Sequence, residues 1–138
     1  GYHGLFKYKN PNSIIINESE LRYEFKDKYS SMENLIIKLS SKLKSKTIVV
    51  TRGPEGAMSF SKKEGFLNCP AFSHKIVDRV GAGDAVLGIF SLCKFAGLDN
   101  DLSLFLSSIS GGYQTSIVNN KSFLDRANLL KQINHLLK

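Results

Sequence analysis

Apolar and polar positions follow two periods along this chain, one typical of buried strands and one of amphipathic helices. Ser13–Asn17 and Thr47–Thr51 are short β-branched runs, which predict buried strands of the kind found in parallel sheets. Between them, apolar residues recur every three or four positions over residues 31–44, which predicts an amphipathic helix. Because short links join strand, helix and strand, the two strands are predicted to be parallel.

The polar residues around these runs predict where helices begin. Asn17–Glu20 is predicted to start a first helix that ends at Phe25, with acidic side chains in the first turn, where the helix dipole favours them. Ser30 and Glu33 have the spacing of a capping box for the second helix.

The chain after the second strand predicts a turn, a hairpin and a loop. Arg52–Gly56 has the composition of a turn, and residues 57–61 and 66–69 predict a hairpin that gives the sheet an antiparallel margin. Ile76–Val77 predicts a short strand that leads into the loop of residues 78–84. Together these elements predict an α/β fold with a mostly parallel sheet.

Three helices are predicted in the last third of the chain. Residues 84–95 are apolar nearly all round, which predicts a buried helix that ends at Gly97. Residues 102–115, capped by Asn100 or Asp101, predict a helix with a face of small residues, which would admit either another helix or a flat ligand such as a purine. A last helix is predicted after the capping residues Ser122 and Asp125.

Composition and charge change this picture only in part. The 138 residues, 42% of them apolar, are enough for one ordinary domain, and the net charge of +7 is spread without a run of five like charges. We therefore expect a solvated basic surface that attracts anionic substrates, and no nucleic-acid partner. Cys69 and Cys93 are expected to be buried free thiols, and neither a membrane span nor a secretory signal is evident, so we expect a cytoplasmic protein. The first residue is not Met, so a longer parent protein is expected.

The loop Gly81–Asp84 carries the most specific chemistry. Glycines let backbone N–H groups approach a ligand, and the following helix directs its positive end to the same place, which predicts an anion site. Asp84 would repel an anion unless it acts chemically, and a general base beside a transferring phosphoryl group is such a role. A Rossmann fingerprint is excluded because Val86 replaces its third glycine, and no Gly-Lys-Ser/Thr of a P-loop is present.

Polar groups also follow the two predicted parallel strands, Asn17 and Glu20 after the first and Thr51, Gly53 and Gly56 after the second. The carboxyl ends of parallel strands meet at one edge of a sheet, where α/β proteins bind ligands. Taken alone, the Asn-x-x-Glu spacing is better explained as a helix start and the Gly-x-x-Gly spacing as a turn.

Taken in order, these segments resemble the C-terminal half of the PfkB, or ribokinase-like, family of carbohydrate kinases. Asn17–Glu20 is similar to its Asn-x-x-Glu motif, residues 50–57 to its Thr-x-Gly-x-x-Gly segment, and residues 78–84 to its signature ending in Gly-Ala-Gly-Asp. The resemblance implies a three-layer α/β sandwich. Residues 1–138 would then be the C-terminal part of a kinase domain, without the N-terminal half and lid that make most sugar contacts. The isolated chain is therefore expected to be a poor catalyst or inactive.

The resemblance also implies roles for individual residues. Asp84 would be the general base, and the amides of Gly81, Ala82, Gly83 and Asp84 would hold the γ-phosphate of ATP. Asn17 and Glu20 would organise Mg²⁺ through water, and Asp78 would lie near a monovalent cation such as K⁺. The nucleotide would be bordered by Thr51, Gly53, Gly56 and Ser108. Arg79, Ser108 and Asn119 depart from the residues usual in the family.

Within the family, residues 51–52 and 84–88 most resemble the kinase module of bacterial heptose synthases. Those enzymes phosphorylate D-glycero-D-manno-heptose 7-phosphate and are often fused to a nucleotidylyltransferase, so ATP and a sugar or sugar phosphate are the expected partners. The alternative is a non-catalytic nucleotide- or phosphate-binding domain derived from such a kinase, and Asp84 favours the enzyme. A homodimer that restores the missing sheet edge is a further expectation.

Overall fold

The computed structural model describes residues 4–72, 78, 80–116 and 125–136. Its strands and helices, in chain order, are β1 (Ser13–Asn17), α1 (Glu18–Phe25), α2 (Met32–Leu43), β2 (Thr47–Thr51), β3 (Ala57–Ser61), β4 (Gly65–Cys69), α3 (Ala82–Phe95), α4 (Asn100–Thr115) and α5 (Arg126–Leu136). Two short 3₁₀ turns lie at Leu5–Lys7 and Gly53–Glu55. The predicted strand Ile76–Val77 and the predicted cap Ser122 lie outside the described residues.

The described strands form one mixed sheet in the order β1-β2-β3-β4. β1 and β2 are parallel, with Asn17 opposite Thr51, while β2–β3 and β3–β4 are antiparallel. The predicted βαβ unit and hairpin are therefore confirmed. Antiparallel pairing extends further than expected, because the hairpin adds its first strand directly to β2.

Two apolar cores cover the two faces of the sheet, which makes the fold a three-layer sandwich as predicted. On one face, Ile14, Ile48 and Val50 pack with the buried side chains of α1 and α2. On the other, Val49 packs with buried residues of α3 and α4. Successive residues of β2 thus serve opposite cores, as the two-residue period of a strand requires.

Two predicted helix caps are shifted by one residue or more. Ser31, not Ser30, caps α2: its Oγ accepts a hydrogen bond from the Asn34 N–H at 3.3 Å. Ser30 is engaged elsewhere, because its Oγ donates to Asp27 Oδ2 at 2.7 Å. For α4, Asp99 is the cap instead of Asn100 or Asp101, and its Oδ1 accepts from the Leu102 N–H at 2.9 Å.

The prediction that α3 is buried all round is wrong. Its inner side places Val86 and Phe90 in the core, but Leu87, Leu92 and Phe95 are 47%, 64% and 94% exposed. Apolar residues on both sides of a helix do not tell which side meets a neighbour. The outer side of α3 therefore forms an apolar surface that no described residue covers.

The small residues of α4 serve helix packing, one of the two alternatives left open by the sequence. A Cβ added at Gly111 would lie 2.7 Å from Val86 Cγ2 and 3.5 Å from the carbonyl oxygen of Ala82, so α3 and α4 approach closely there. Gly97 ends α3 as predicted: it adopts φ +81°, and the Leu98 N–H donates to the Cys93 carbonyl at 3.0 Å.

Cys69 and Cys93 are buried and unpaired with one another, as predicted. Burial raises the pKa of both thiols above the ordinary value, which keeps them protonated near neutral pH. Among the helices in the described ranges, none combines the length and apolarity needed to cross a bilayer.

Candidate active site

The polar residues singled out by the sequence lie at one edge of the sheet. Asn17 and Thr51 occupy paired positions at the ends of the parallel strands β1 and β2. Across the turn after β2, Ala57 pairs with both Thr51 and Cys69, so the start of β3 and the end of β4 reach the same edge. Neighbouring strands lie about 4.8 Å apart, which brings these groups within the span of one small ligand.

Asn17 and Glu20 form a reciprocal capping box at the start of α1. Asn17 Oδ1 accepts a hydrogen bond from the Glu20 N–H at 2.8 Å, and Glu20 Oε2 accepts from the Asn17 N–H at 3.3 Å. Each side chain therefore commits one oxygen to the helix start. The other carboxylate oxygen of Glu20 has no partner among the described residues and is available to a ligand.

An ion-pair network next to this box was not predicted by the sequence. Glu18 Oε1 accepts from Arg22 at 2.8 Å and Oε2 from Arg52 at 3.1 Å, and Arg52 also pairs with Glu55. Arg52 follows β2 and Glu18 follows β1, so this contact holds the two strand-end loops together. No sequence signal identifies it, because its partners are 34 residues apart.

The network predicts a dependence of stability on acid pH. Burial alone would raise the pKa of Glu18, but hydrogen bonds and charges of Arg22 and Arg52 outweigh it and hold that pKa below the ordinary value. Because the pKa of Glu18 is lower in the folded than in the unfolded state, its carboxylate stabilises the fold at pH values above the unfolded-state pKa, about 4.3. That stabilisation is lost as the pH falls through the folded-state pKa. Arg52→Gln should therefore flatten the fall in unfolding free energy below about pH 5, measured by urea titration.

Lys38→Gln is the matched control for this experiment. Lys38 pairs with Asp27 at 3.4 Å while 54% exposed, so its removal changes the same charge without touching the strand-end loops. Equal acid profiles for the Arg52 and Lys38 variants would contradict the role of Arg52.

The turn after β2 is built on two glycines with positive φ. Gly53 has φ +57° with open space around its Cα, whereas a Cβ at Gly56, φ +84°, would lie 2.0 Å from the carbonyl oxygen of Cys69. The turn is closed by the Arg52 N–H, which donates to the Gly56 carbonyl at 2.8 Å. Gly56 therefore lets the turn lie directly against the end of β4.

The N-terminus of α3 is the one start without a side-chain cap among the five described α-helices. Gly81 is its N-cap at φ +82°, with no side-chain hydrogen bond. Each of the other four helices begins with a side-chain cap, from Asn17, Ser31, Asp99 and Asp125 in chain order. The first N–H groups of a helix have no partner within it, so those of Ala82, Gly83 and Asp84 are left for a ligand.

The open end of α3 lies at the same sheet edge as the strand-end groups. Val86, in the second turn of α3, packs in one cluster with Ala57 and Cys69, both of which lie at that edge. Asp84 is exposed in the first turn. The structure thus brings an exposed carboxylate and a row of free N–H groups to the edge that holds Asn17 and Thr51.

Asp78 shapes the approach to this helix. Its Oδ1 accepts a hydrogen bond from the Val80 N–H at 3.0 Å, and its own N–H donates to the Thr115 carbonyl at 3.1 Å. These contacts tie the segment before Gly81 to the end of α4. Arg79 and Asn119 lie outside the described residues.

Ser108 lies on α4 beside β4. Its Oγ is buried without a hydrogen-bond partner in the described part of the chain, and the thiol of Cys69 lies near it. Since Cys69 is at the candidate edge, Ser108 is on the same side as Gly56. Its hydroxyl is not open to solvent, however.

The donor set suits an indirectly held Mg²⁺ better than a directly held metal. Among the described residues, no group of three or more His, Cys, Asp or Glu side chains could enclose a metal ion. The uncommitted oxygen of Glu20 and the nearby Asn17 are hard donors of the kind that bind Mg²⁺ through its retained waters. The described residues therefore fit the water-mediated role.

The chain is similar to known proteins over most of its length. The pfkB family of carbohydrate kinases matches residues 8–112. The bifunctional protein HldE of Desulfatibacillum aliphaticivorans is 28% identical over 131 residues, which cover 92% of this chain and 26% of that protein. This chain thus spans about a quarter of that relative.

Solved kinase structures share the fold. Phosphofructokinase-2 from Escherichia coli in complex with potassium gives a TM-score of 0.82 at 18% identity, over 96% of this chain and 43% of that one. Arabidopsis thaliana ribokinase complexed with ribose and ATP gives 0.79 at 20% identity, over 88% and 40%.

The fold is therefore that of the ribokinase-like α/β kinases, of which this chain spans less than half. The chain belongs to the pfkB family of carbohydrate kinases.

Proposed function

We propose that this chain carries the general base and the nucleotide side of an ATP-dependent sugar or sugar-phosphate kinase. The observation that carries the proposal is the uncapped start of α3, with Asp84 exposed in its first turn, at the edge where β1 and β2 end. A site that only bound phosphate would gain nothing from a carboxylate there. A phosphoryl transfer needs both an anion hole and a base.

In this mechanism the N–H groups at Gly81–Asp84 hold the γ-phosphate and the charge that develops on it. Asp84 accepts the proton of the attacking sugar hydroxyl while the bond from that oxygen to the γ-phosphorus forms. The bond from the γ-phosphorus to the bridging oxygen breaks, and ADP leaves with that electron pair. Mg²⁺, when bound, neutralises phosphate charge.

The nucleotide would lie along the turn after β2. Three residues border that position: Thr51, Gly53 and Gly56. Because Gly56 packs directly against the end of β4, the turn leaves room for a ligand to lie over it. Ser108 would take part only after a local shift that exposes its buried hydroxyl. Asp78 would stay near a K⁺ site, for which the potassium complex of the phosphofructokinase-2 fold offers a precedent.

We propose that residues 1–138 are the C-terminal part of the kinase domain. β1 is the outermost strand of the described sheet, and α3 packs beside it while its outer apolar side stays exposed, so both are in place to receive further strands and helices. The same surface would be covered by a second copy in a homodimer. The likeness to a protein named as bifunctional supports a second activity in the parent protein. We propose that this activity is a nucleotidylyltransferase, that the sugar substrate is a heptose 7-phosphate and that the location is cytoplasmic.

The direct test is phosphate transfer from ATP over a panel of sugars and sugar phosphates, including heptose 7-phosphate. The 138-residue chain and any longer protein that contains it should be assayed side by side with Mg²⁺, with and without K⁺. Turnover by the longer protein is the expected result, with little by the chain alone. Nucleotide binding without transfer to any acceptor would favour the alternative, a non-catalytic nucleotide- or phosphate-binding domain.

A further inference from the structure

An open cleft of about 960 Å³ lies at the edge of the sheet opposite the candidate active site. It lies where β2 begins and β3 ends, with Thr47 and Ser61 in its wall. Five lysines line it: Lys44, Lys46, Lys62, Lys63 and Lys94. They come from the link before β2, the turn between β3 and β4 and the end of α3. These segments are distant in the sequence and meet only in the folded structure. We call this the lysine cleft.

The charge of the lysine cleft is only partly balanced within the protein. Two acidic residues, Glu64 and Asp99, also line it, and Asp99 is engaged as the cap of α4. Lys94 Nζ donates to the Leu98 carbonyl at 2.7 Å. The other four lysines form no ion pair with any carboxylate in the described ranges. Their charges are therefore left to attract an anion.

Three residues that line the cleft have a buried polar atom without a partner. Ser45 is 5% exposed and Asn100 is 4% exposed, and none of Ser45 Oγ, Asn100 Oδ1 and Glu64 Oε2 has a hydrogen-bond partner in the described structure. Buried polar atoms are rarely left unpaired, because each lost hydrogen bond destabilises the fold. After a local shift that exposes these atoms, a ligand that accepts from the Ser45 hydroxyl and donates to the Asn100 and Glu64 oxygens, directly or through water, would satisfy all three.

The lysine cleft is separate from the candidate active site. Thr47 and Thr51 lie at opposite ends of β2, about 13 Å apart for an extended strand of this length. α3 spans the same two edges, with its open N-terminus at one and Lys94 at the other, about 20 Å away along its axis. One phosphate group cannot reach both places.

We infer that the lysine cleft binds a small phosphate-bearing anion. Lysine ammonium groups attract the phosphate charge. After a local shift that exposes the buried atoms, the Ser45 hydroxyl donates to a phosphate oxygen, and Asn100 and Glu64 accept from ligand hydroxyls or bridging waters. This site is independent of the proposed kinase activity, since none of its residues belongs to the candidate active site.

Pyrophosphate is the probe for this site, with binding followed by amide chemical shifts and by titration calorimetry of the 138-residue chain. Shifts are expected at residues 44–47, 62–64 and 100. Lys62→Gln together with Lys63→Gln should raise the Kd about tenfold. Lys7→Gln together with Lys9→Gln removes the same charge from exposed positions outside the cleft and should change the Kd less than twofold.

Ser45→Ala separates a built site from diffuse attraction. The substitution removes an unpaired buried hydroxyl, so the unfolding free energy should not fall, while the Kd for pyrophosphate should rise severalfold. The proposal is overturned if the shifts are confined to residues 81–84, or if both lysine pairs weaken binding equally. An unchanged Kd for Ser45→Ala also overturns it. Failure of sugar phosphorylation would leave each of these readouts intact.

Discussion

Asp84→Asn should lower the rate of phosphate transfer to the accepted sugar by roughly 10²–10⁴-fold, the usual contribution of a general base. Asparagine has nearly the same shape but cannot take up the proton of the sugar hydroxyl. Since Asp84 is exposed in the first turn of α3, the substitution should leave the fold intact. The measurement is kcat and KM in the longest active form of the protein.

The effect on ATP binding distinguishes a base from a residue that merely positions the helix. Removing a negative charge beside the N-terminus of α3 lessens repulsion of phosphate, so the KM for ATP should stay the same or fall while kcat drops. Asp101→Asn is the matched control, because Asp101 is also an exposed acid in the first turn of a helix. Near-normal kcat in Asp84→Asn would show that the base lies elsewhere.

Gly56→Ala should unfold the protein or destabilise it by about 4 kcal/mol or more. The new Cβ would lie 2.0 Å from the Cys69 carbonyl oxygen, 2.7 Å from the Pro70 carbonyl carbon and 2.9 Å from the Ala71 nitrogen, all of them backbone atoms. Neither β4 nor the turn can give way by a side-chain rotation. Backbone strain at φ +84° and ψ −133° adds to the overlap. Such a loss is a large part of a typical total stability of about 5–15 kcal/mol.

Gly53→Ala is the control for Gly56, because it lies in the same turn with positive φ but with nothing within 4 Å of its added Cβ. Only conformational strain remains there, about 1–2 kcal/mol. Urea unfolding of the two variants should therefore differ by several kcal/mol. Similar losses of unfolding free energy in the two variants would mean that positive φ alone, and not the contact of Gly56 with β4, makes glycine necessary.

The candidate site was predictable from the sequence where its residues act locally. The capping box of Asn17 and Glu20 and the glycine-led start of α3 depend on positions within three or four residues of each other. Their place at one sheet edge followed from the rule that parallel strands end together. The neighbouring Glu18–Arg52 contact has no such local signal, and periodicity could not say that the outer side of α3 is exposed.

The sequence alone establishes the order and type of the elements, since apolar periodicity and turn residues are properties of short segments. It also determined the family, because its glycines and acids are spaced as that family requires. Which groups from distant segments meet depends on the tertiary structure. It lets Ser30 bind Asp27, so that Ser31 caps α2 instead, and it places Gly56 directly against β4. It also gathered five separate lysines into one cleft. Such contacts depend on packing in three dimensions, which leaves no period along the chain.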